Sequence, residues 1–143
     1  MKIDINVNEA YHEFFQSKKR FCYLMGGAGS GKSYAAAQKV VFRALTESNL
    51  GILVVRKTNS TVKQSVWADI LNIINVLCVR KHFSFNITNQ KITNLKNKSF
   101  IYFTGIDDPE KLKSIAGIGH IWVEEATEFN EADLTQLNLR LRA

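Results

Sequence analysis

The stretch Gly26-Gly27-Ala28-Gly29-Ser30-Gly31-Lys32-Ser33 decides how this chain is read. It satisfies G-x-x-x-x-G-K-[ST] at every defined position. Glycines accept positive φ, so successive N–H groups can curl toward one point. A helix starting here aims its orphan N–H donors at the same point. Lys32 adds a charge able to reach the β- and γ-phosphates of a nucleotide, and Ser33 offers a hydroxyl to Mg2+. Gly26, Gly27, Ala28, Gly29, Ser30, Gly31, Lys32 and Ser33 are thus the candidate nucleotide-binding residues. Upstream, residues 20–25 (RFCYLM) read as a buried strand. Downstream, residues 32 to about 48 read as a helix, with Ala37, Val41 and Leu45 on one face.

Working outward, residues 51–56 (GILVVR) form a second apolar run of strand length. A helix is expected from about Thr61 to Leu77, with Thr61 and Gln64 as a capping box. Its apolar stripe is Val62, Val66, Ile70, Ile73 and Leu77. Between 83 and 104 the period changes to short β-prone segments, with hairpin turns at Asn89-Gln90 and Asn97-Lys98. Asp108 before Pro109 is an N-cap and N1 pair for one short helix. Residues 120–124 (HIWVE) read as the last strand. A final helix starts near Asn130, with Phe129 and Leu134 as a hydrophobic staple and Leu134, Leu137 and Leu141 on one side. The order βαβα, β-rich insert, βα predicts an α/β fold with a mainly parallel sheet.

The composition fits one domain spanning 1–143. Of 143 residues, 45% are hydrophobic and 22% charged, which excludes a disordered tail. There is no apolar run long enough for a membrane span, and the N-terminus has no apolar signal core. The two cysteines, Cys22 and Cys78, read as buried reduced thiols. His12, His82 and His120 have no metal-ligand spacing. Net charge is +6, unevenly spread. From Phe14 to Ile106 there are fourteen Lys/Arg against two acids, and from Asp107 to Asp133 eight acids against two lysines. A basic body of this kind suits a polyanion. Lys57, Lys63, Arg80, Lys81, Lys91, Lys96 and Lys98 are the candidates for nucleic-acid phosphate contact, which would be sequence-independent and salt-sensitive.

A phosphate loop of this kind needs a metal-holding carboxylate at the end of a neighbouring strand. Ile121-Trp122-Val123-Glu124-Glu125 supplies apolar residues followed by two acids. Side chains alternate along a strand, so the two carboxylates leave in different directions. Glu124 is expected on the Mg2+ side. Glu125 is expected to polarise the water that attacks the γ-phosphate, a role for which positioning and charge supply most of the catalysis.

With these segments in hand, the chain resembles the N-terminal ATPase part of tailed-phage large terminase subunits of the PBSX-like type. Three segments carry the resemblance: YLMGGAGSGKS at 23–33, ILVVRKTNSTVKQSVW at 52–67, and FTGIDDPEKLKSIAGIGHIWVEEATEFNEADLTQLNLRLR at 103–142. The resemblance implies an additional-strand, catalytic-glutamate P-loop ATPase with a β-hairpin insert. It implies ATP and Mg2+, and translocation of double-stranded DNA into a capsid. The implied partners are double-stranded DNA, a small terminase subunit, a portal protein and further copies in a ring, with no membrane, in the cytoplasm of a bacterial host. By position, Lys32 and Ser33 become the Walker A pair, Glu124 the Walker B acid and Glu125 the catalytic carboxylate.

Several departures shape the expectations. Many large terminases carry Arg at the third position of the glycine loop, where this chain has Ala28. An arginine finger must then come from elsewhere, and Arg56, at the end of the second strand, is the first candidate; Arg140 and Arg142 could serve a neighbouring subunit. In this class of fold a strand from beyond residue 143 lies between the P-loop strand and the acidic strand. The C-terminal strands and the nuclease domain are therefore expected to be missing here. Gln16 and Phe15 are candidates for adenine contact, against a routine amphipathic helix, and no motif reads the base, so GTP stays open. Two other readings stand beside the motor: another P-loop NTPase of helicase-like kind, and a nucleotide-binding piece without turnover.

Overall fold

The computed structural model describes residues 3–141. Its centre is a five-stranded sheet in the order β2-β3-β4-β1-β5. The strands are β1 (Gly51–Arg56), β2 (Phe83–Asn86), β3 (Lys91–Asn94), β4 (Phe100–Gly105) and β5 (Ile118–Val123). β1 pairs in parallel with β4 on one side and β5 on the other. β2 and β3 add an antiparallel hairpin onto β4. Gln90 and Lys98 both take positive φ, at 54° and 67°, at the two turns read from the sequence.

The helices are α1 (His12–Gln16), α2 (Lys32–Thr46), α3 (Val66–Val76), α4 (Pro109–Lys113) and α5 (Glu131–Arg140). The alternation of β1 places Ile52 and Val54 on one face and Leu53 and Val55 on the other. The first pair joins a core with α2 and α3, including Val41, Ile70 and Ile101, and Phe103 edge-on to Trp67 at 5.0 Å. The second pair packs with Leu112, Phe129 and Leu137. The result is a sheet covered on both faces, which is why β1 is almost entirely apolar.

Three expectations are corrected. Residues 20–25 form no strand, and Phe21, Tyr23 and Met25 are exposed. No described strand lies beside them, so their backbone has no ladder to join and their side chains no face to cover. The second helix begins at Val66, because Thr61 donates its hydroxyl to the carbonyl of Thr58 (2.8 Å) and closes no capping box. A 3-10 turn, Asn59–Thr61, takes the place of the helix's first turn, although Val62 is still buried. Cys22 and Cys78 are exposed rather than buried; Cys78 has φ of 57° just past the end of α3, which turns it off the helix. On the free side of β5, Leu141 makes an isolated parallel bridge to Ile118.

Candidate nucleotide site

The glycine loop leads directly into α2. Gly31 is the residue before the helix and takes φ 84°, ψ 8°, a left-handed conformation that favours glycine. Gly29 is also left-handed, at φ 79°. The first helical bond of α2 runs from Ala35 N–H to the Gly31 carbonyl (2.9 Å). The N–H groups of Lys32, Ser33 and Tyr34 precede it, so they have no carbonyl one turn back to bind. They face the loop, where an anion would meet both the donors and the positive end of the helix. The Lys32 ammonium donates to the Gly26 carbonyl at 2.6 Å, closing the loop on itself.

Glu124 follows β5 and its N–H still donates to the Val55 carbonyl (3.0 Å), so β1 fixes its backbone. The Ser33 hydroxyl donates to Glu124 Oε1 at 2.8 Å. Residues 91 apart in sequence are thereby joined across the C-terminal ends of the parallel strands. Glu124 is buried, and this desolvation, with repulsion from Glu125 and Asp69, pushes its carboxyl above the usual range against the opposing pull of Ser33 and Arg56. Oxygen donors of this kind, one hydroxyl and one carboxylate, suit Mg2+, which commonly takes one or two protein carboxylates and completes its shell with phosphate and water. Glu125 is exposed, with a left-handed backbone at φ 57°, ψ 54°.

The sequence-derived site residues divide accordingly. Gly26 to Ser33 and Glu124 come together. Glu125 has no side-chain hydrogen bond to the loop among the described residues. Arg56, at the end of β1, is turned toward the loop after β5: its Nη2 lies 3.4 Å from Glu128 Oε1, and its Nε is buried without a partner. Ala28 is exposed on the loop, Arg140 ends α5, and Arg142 lies outside the described residues. Phe15 packs on Phe42 of α2 with ring centroids 5.1 Å apart, while Gln16 is exposed, the arrangement of an amphipathic helix. Sequence reasoning missed Tyr11, whose hydroxyl donates to the Ser30 carbonyl at 2.7 Å. It also missed Asp69 and Glu128 beside Glu124 and Arg56. No local pattern marks these contacts, which are made between distant parts of the chain. Among the basic candidates, Lys57 is held by Asp133 at 2.6 Å, and Arg80 and Lys91 lie over the rings of Phe85 and Phe100.

The model of the phage terminase large subunit family matches residues 18–143. The chain is also 33% identical over 137 residues to the PBSX phage terminase large subunit of Bacillus subtilis (strain 168). This chain belongs to the phage terminase large subunit family. The match to the PBSX subunit covers 95% of this terminase chain but 31% of that protein, so the chain spans about a third of its relative's length. Among solved structures, the large terminase of a thermophilic bacteriophage superposes with a TM-score of 0.68 at 15% identity, over 82% of this chain and 30% of that one. That phage's large terminase has also been solved in complex with ATP-gamma-S. The large terminase ATPase domain of Thermus phage P74-26 superposes with a TM-score of 0.62 at 16% identity, over 80% of this chain and 53% of that one. At such identities these likenesses establish the fold: a mixed α/β unit with a mostly parallel sheet, as in large terminase ATPase domains. No helix among the described residues is long and apolar enough to cross a membrane.

Proposed function

We propose that residues 1–143 are the N-terminal part of a terminase ATPase domain, whose hydrolysis of Mg-ATP drives double-stranded DNA into a capsid. The observation that carries this reading is the 2.8 Å bond between Ser33 and Glu124, which brings the phosphate loop and the acidic strand end to one point. In this reading the glycine loop and the first N–H groups of α2 bind the β- and γ-phosphates. Lys32 leaves the Gly26 carbonyl to neutralise them. Ser33 and Glu124 hold Mg2+, which when bound draws charge off the phosphate oxygens. Glu125 orients the attacking water and accepts its proton. Arg56 is the candidate for the arginine that meets the developing charge, and to do so it would have to exchange Glu128 for phosphate. Double-stranded DNA, a small terminase subunit, the portal and further copies in a ring are the partners this role requires, in the host cytoplasm.

The test is phosphate release from Mg-ATP by the purified chain, with and without double-stranded DNA. DNA-stimulated release is expected, lost in both Lys32→Ala and Glu125→Gln, with nucleotide binding lost only in Lys32→Ala. Binding without release in the unaltered chain would favour the second reading, a nucleotide-binding piece without turnover, to which the unpaired 20–25 segment lends support. Release that ignores DNA would favour a different P-loop NTPase.

A further inference from the structure

β1 and β5 run in register as far as Val55 and Val123, so Arg56 leaves β1 directly beside Glu124. The alternation that sends Ile52 and Val54 toward α2 and α3 sends Arg56 to that face as well. Trp122, two residues before Glu124, lies on it too, and there Ser33 meets Glu124. Two consecutive basic residues then reach the segment that follows Glu124. Lys57 holds Asp133 at 2.6 Å, and its ammonium lies 6.0 Å from the ring of Phe129. Arg56 Nη2 reaches Glu128 Oε1 at 3.4 Å. Phe129 itself is buried in the second core, with Leu53 and Val55. The segment is thus fastened to the end of β1 at two ion pairs, one tight and one loose.

The loose one is incomplete in its hydrogen bonding. Charge-assisted N–H···O bonds commonly lie at about 2.7–2.9 Å, so 3.4 Å marks a weak one. Among the described residues, Arg56 Nε is the one fully buried side-chain nitrogen or oxygen without a partner. A guanidinium presents Nε–H and Nη–H as a fork that fits two oxygens of one anion. Glu128 occupies only one prong. A buried N–H left unpaired is destabilising, and an anion that reaches both prongs relieves it. The two partners also differ in setting. The Arg56 side chain is 15% exposed and that of Glu128 47%, so water solvates the acid more readily than the arginine. Glu128 closes the 3-10 turn that begins right after Glu125, which makes this turn the link between the acidic strand end and α5.

We propose that Glu128 is a positioning residue that stores Arg56 in the empty site, an autoinhibitory latch that opens when phosphate offers an oxygen to both prongs of the guanidinium. Glu128 touches no reacting atom; it acts through Arg56. The proposal rests on the nucleotide reading given above and adds its regulation. While the latch is closed, the acid holds phosphate affinity down. When it opens, the turn between Glu125 and α5 is released, and the pair between Lys57 and Asp133 keeps α5 in place.

The probe is inorganic triphosphate with Mg2+, competed against a fluorescent ATP analogue on the purified chain, because it carries the phosphate oxygens and no base. Glu128→Gln is expected to bind triphosphate about threefold to fivefold more tightly than the unaltered chain, the size of one partly exposed ion pair. Glu131→Gln removes another exposed acid, from the first turn of α5, and is expected to leave the affinity unchanged. Glu128→Gln combined with Arg56→Gln is expected to bind no more tightly than Arg56→Gln alone. Unchanged affinity in Glu128→Gln, with binding still lost in Lys32→Ala, would overturn the latch and leave the phosphate loop standing. An equal gain in Glu131→Gln, or a gain that survives the loss of Arg56, would assign the effect to general repulsion and overturn it as well. Glu128 and Glu131 are both exposed, so their comparison decides the matter even where the Arg56 variant fails to fold. Absence of triphosphate and analogue binding, or binding that Lys32→Ala leaves intact, would remove the nucleotide reading itself, and this inference with it.

Discussion

Glu125 has a left-handed backbone that most side chains avoid. For a non-glycine residue this costs about 1 kcal/mol or more, and such residues persist where their surroundings hold them. The conformation begins the 3-10 turn Ala126–Glu128 directly after Glu124. Arg56 then meets the same turn through Glu128. Replacing Glu125 with glycine relieves the backbone but frees the unfolded chain, so the two effects partly cancel. Glu125→Gly is expected to raise stability by up to about 1 kcal/mol, read as a rise in Tm. A lower Tm would mean that the Glu125 side chain stabilises the turn by more than its backbone costs. A rise in Tm together with loss of hydrolysis would make stability and activity respond to this position in opposite directions, as expected where an acid is kept against its own backbone preference.

Individual elements differ in how much their local sequence dictates. α5 starts where Asn130 and Asp133 bond each other's backbone N–H groups at 2.8 and 3.0 Å, a reciprocal cap. Asn130→Ala is expected to cost about 1 kcal/mol, measurable by urea denaturation as a lower midpoint at unchanged slope. Asp108 caps α4 in the same way, its carboxylate accepting from Lys111 N–H at 3.2 Å ahead of Pro109. These starts were legible in sequence, as were β1 and the hairpin turns at Gln90 and Lys98, because a few adjacent residues carry all the physics. The 20–25 segment looked equally strand-like, but a strand is a relation between two segments and only one of them can be read locally. Thr61 failed as a cap for a related reason: its hydroxyl had a nearer acceptor in Thr58. Within the site, the glycine loop and Glu124 were legible as motifs. Tyr11, Asp69 and Glu128 were not, since their importance lies in what the fold brings beside them.

At the scale of the whole molecule, His120 on β5 is a group through which acid is expected to act. Arg43 Nη1 donates to its Nδ1 at 2.8 Å, which needs a neutral ring. Burial, then the neighbouring Arg43 and Lys39, hold its pKa down to about 3 despite the opposing Glu47. Below the ordinary value near 6.5 the unfolded chain takes up a proton that the folded chain refuses. Stability is therefore expected to fall as pH drops from about 6.5 toward 3, at up to about 1.4 kcal/mol per pH unit from this group. His120→Gln should flatten that part of the profile in denaturation experiments, and an unchanged slope would assign the acid sensitivity to other groups. At the mouth of the site, Lys32 already sits on the Gly26 carbonyl. In the proposed reading, filling the loop is therefore a displacement: the Lys32 ammonium surrenders its bond to the Gly26 carbonyl as it turns to phosphate. Measured affinity reports the difference between two partners of the same ammonium, and heats of binding will understate how strongly the phosphate is gripped.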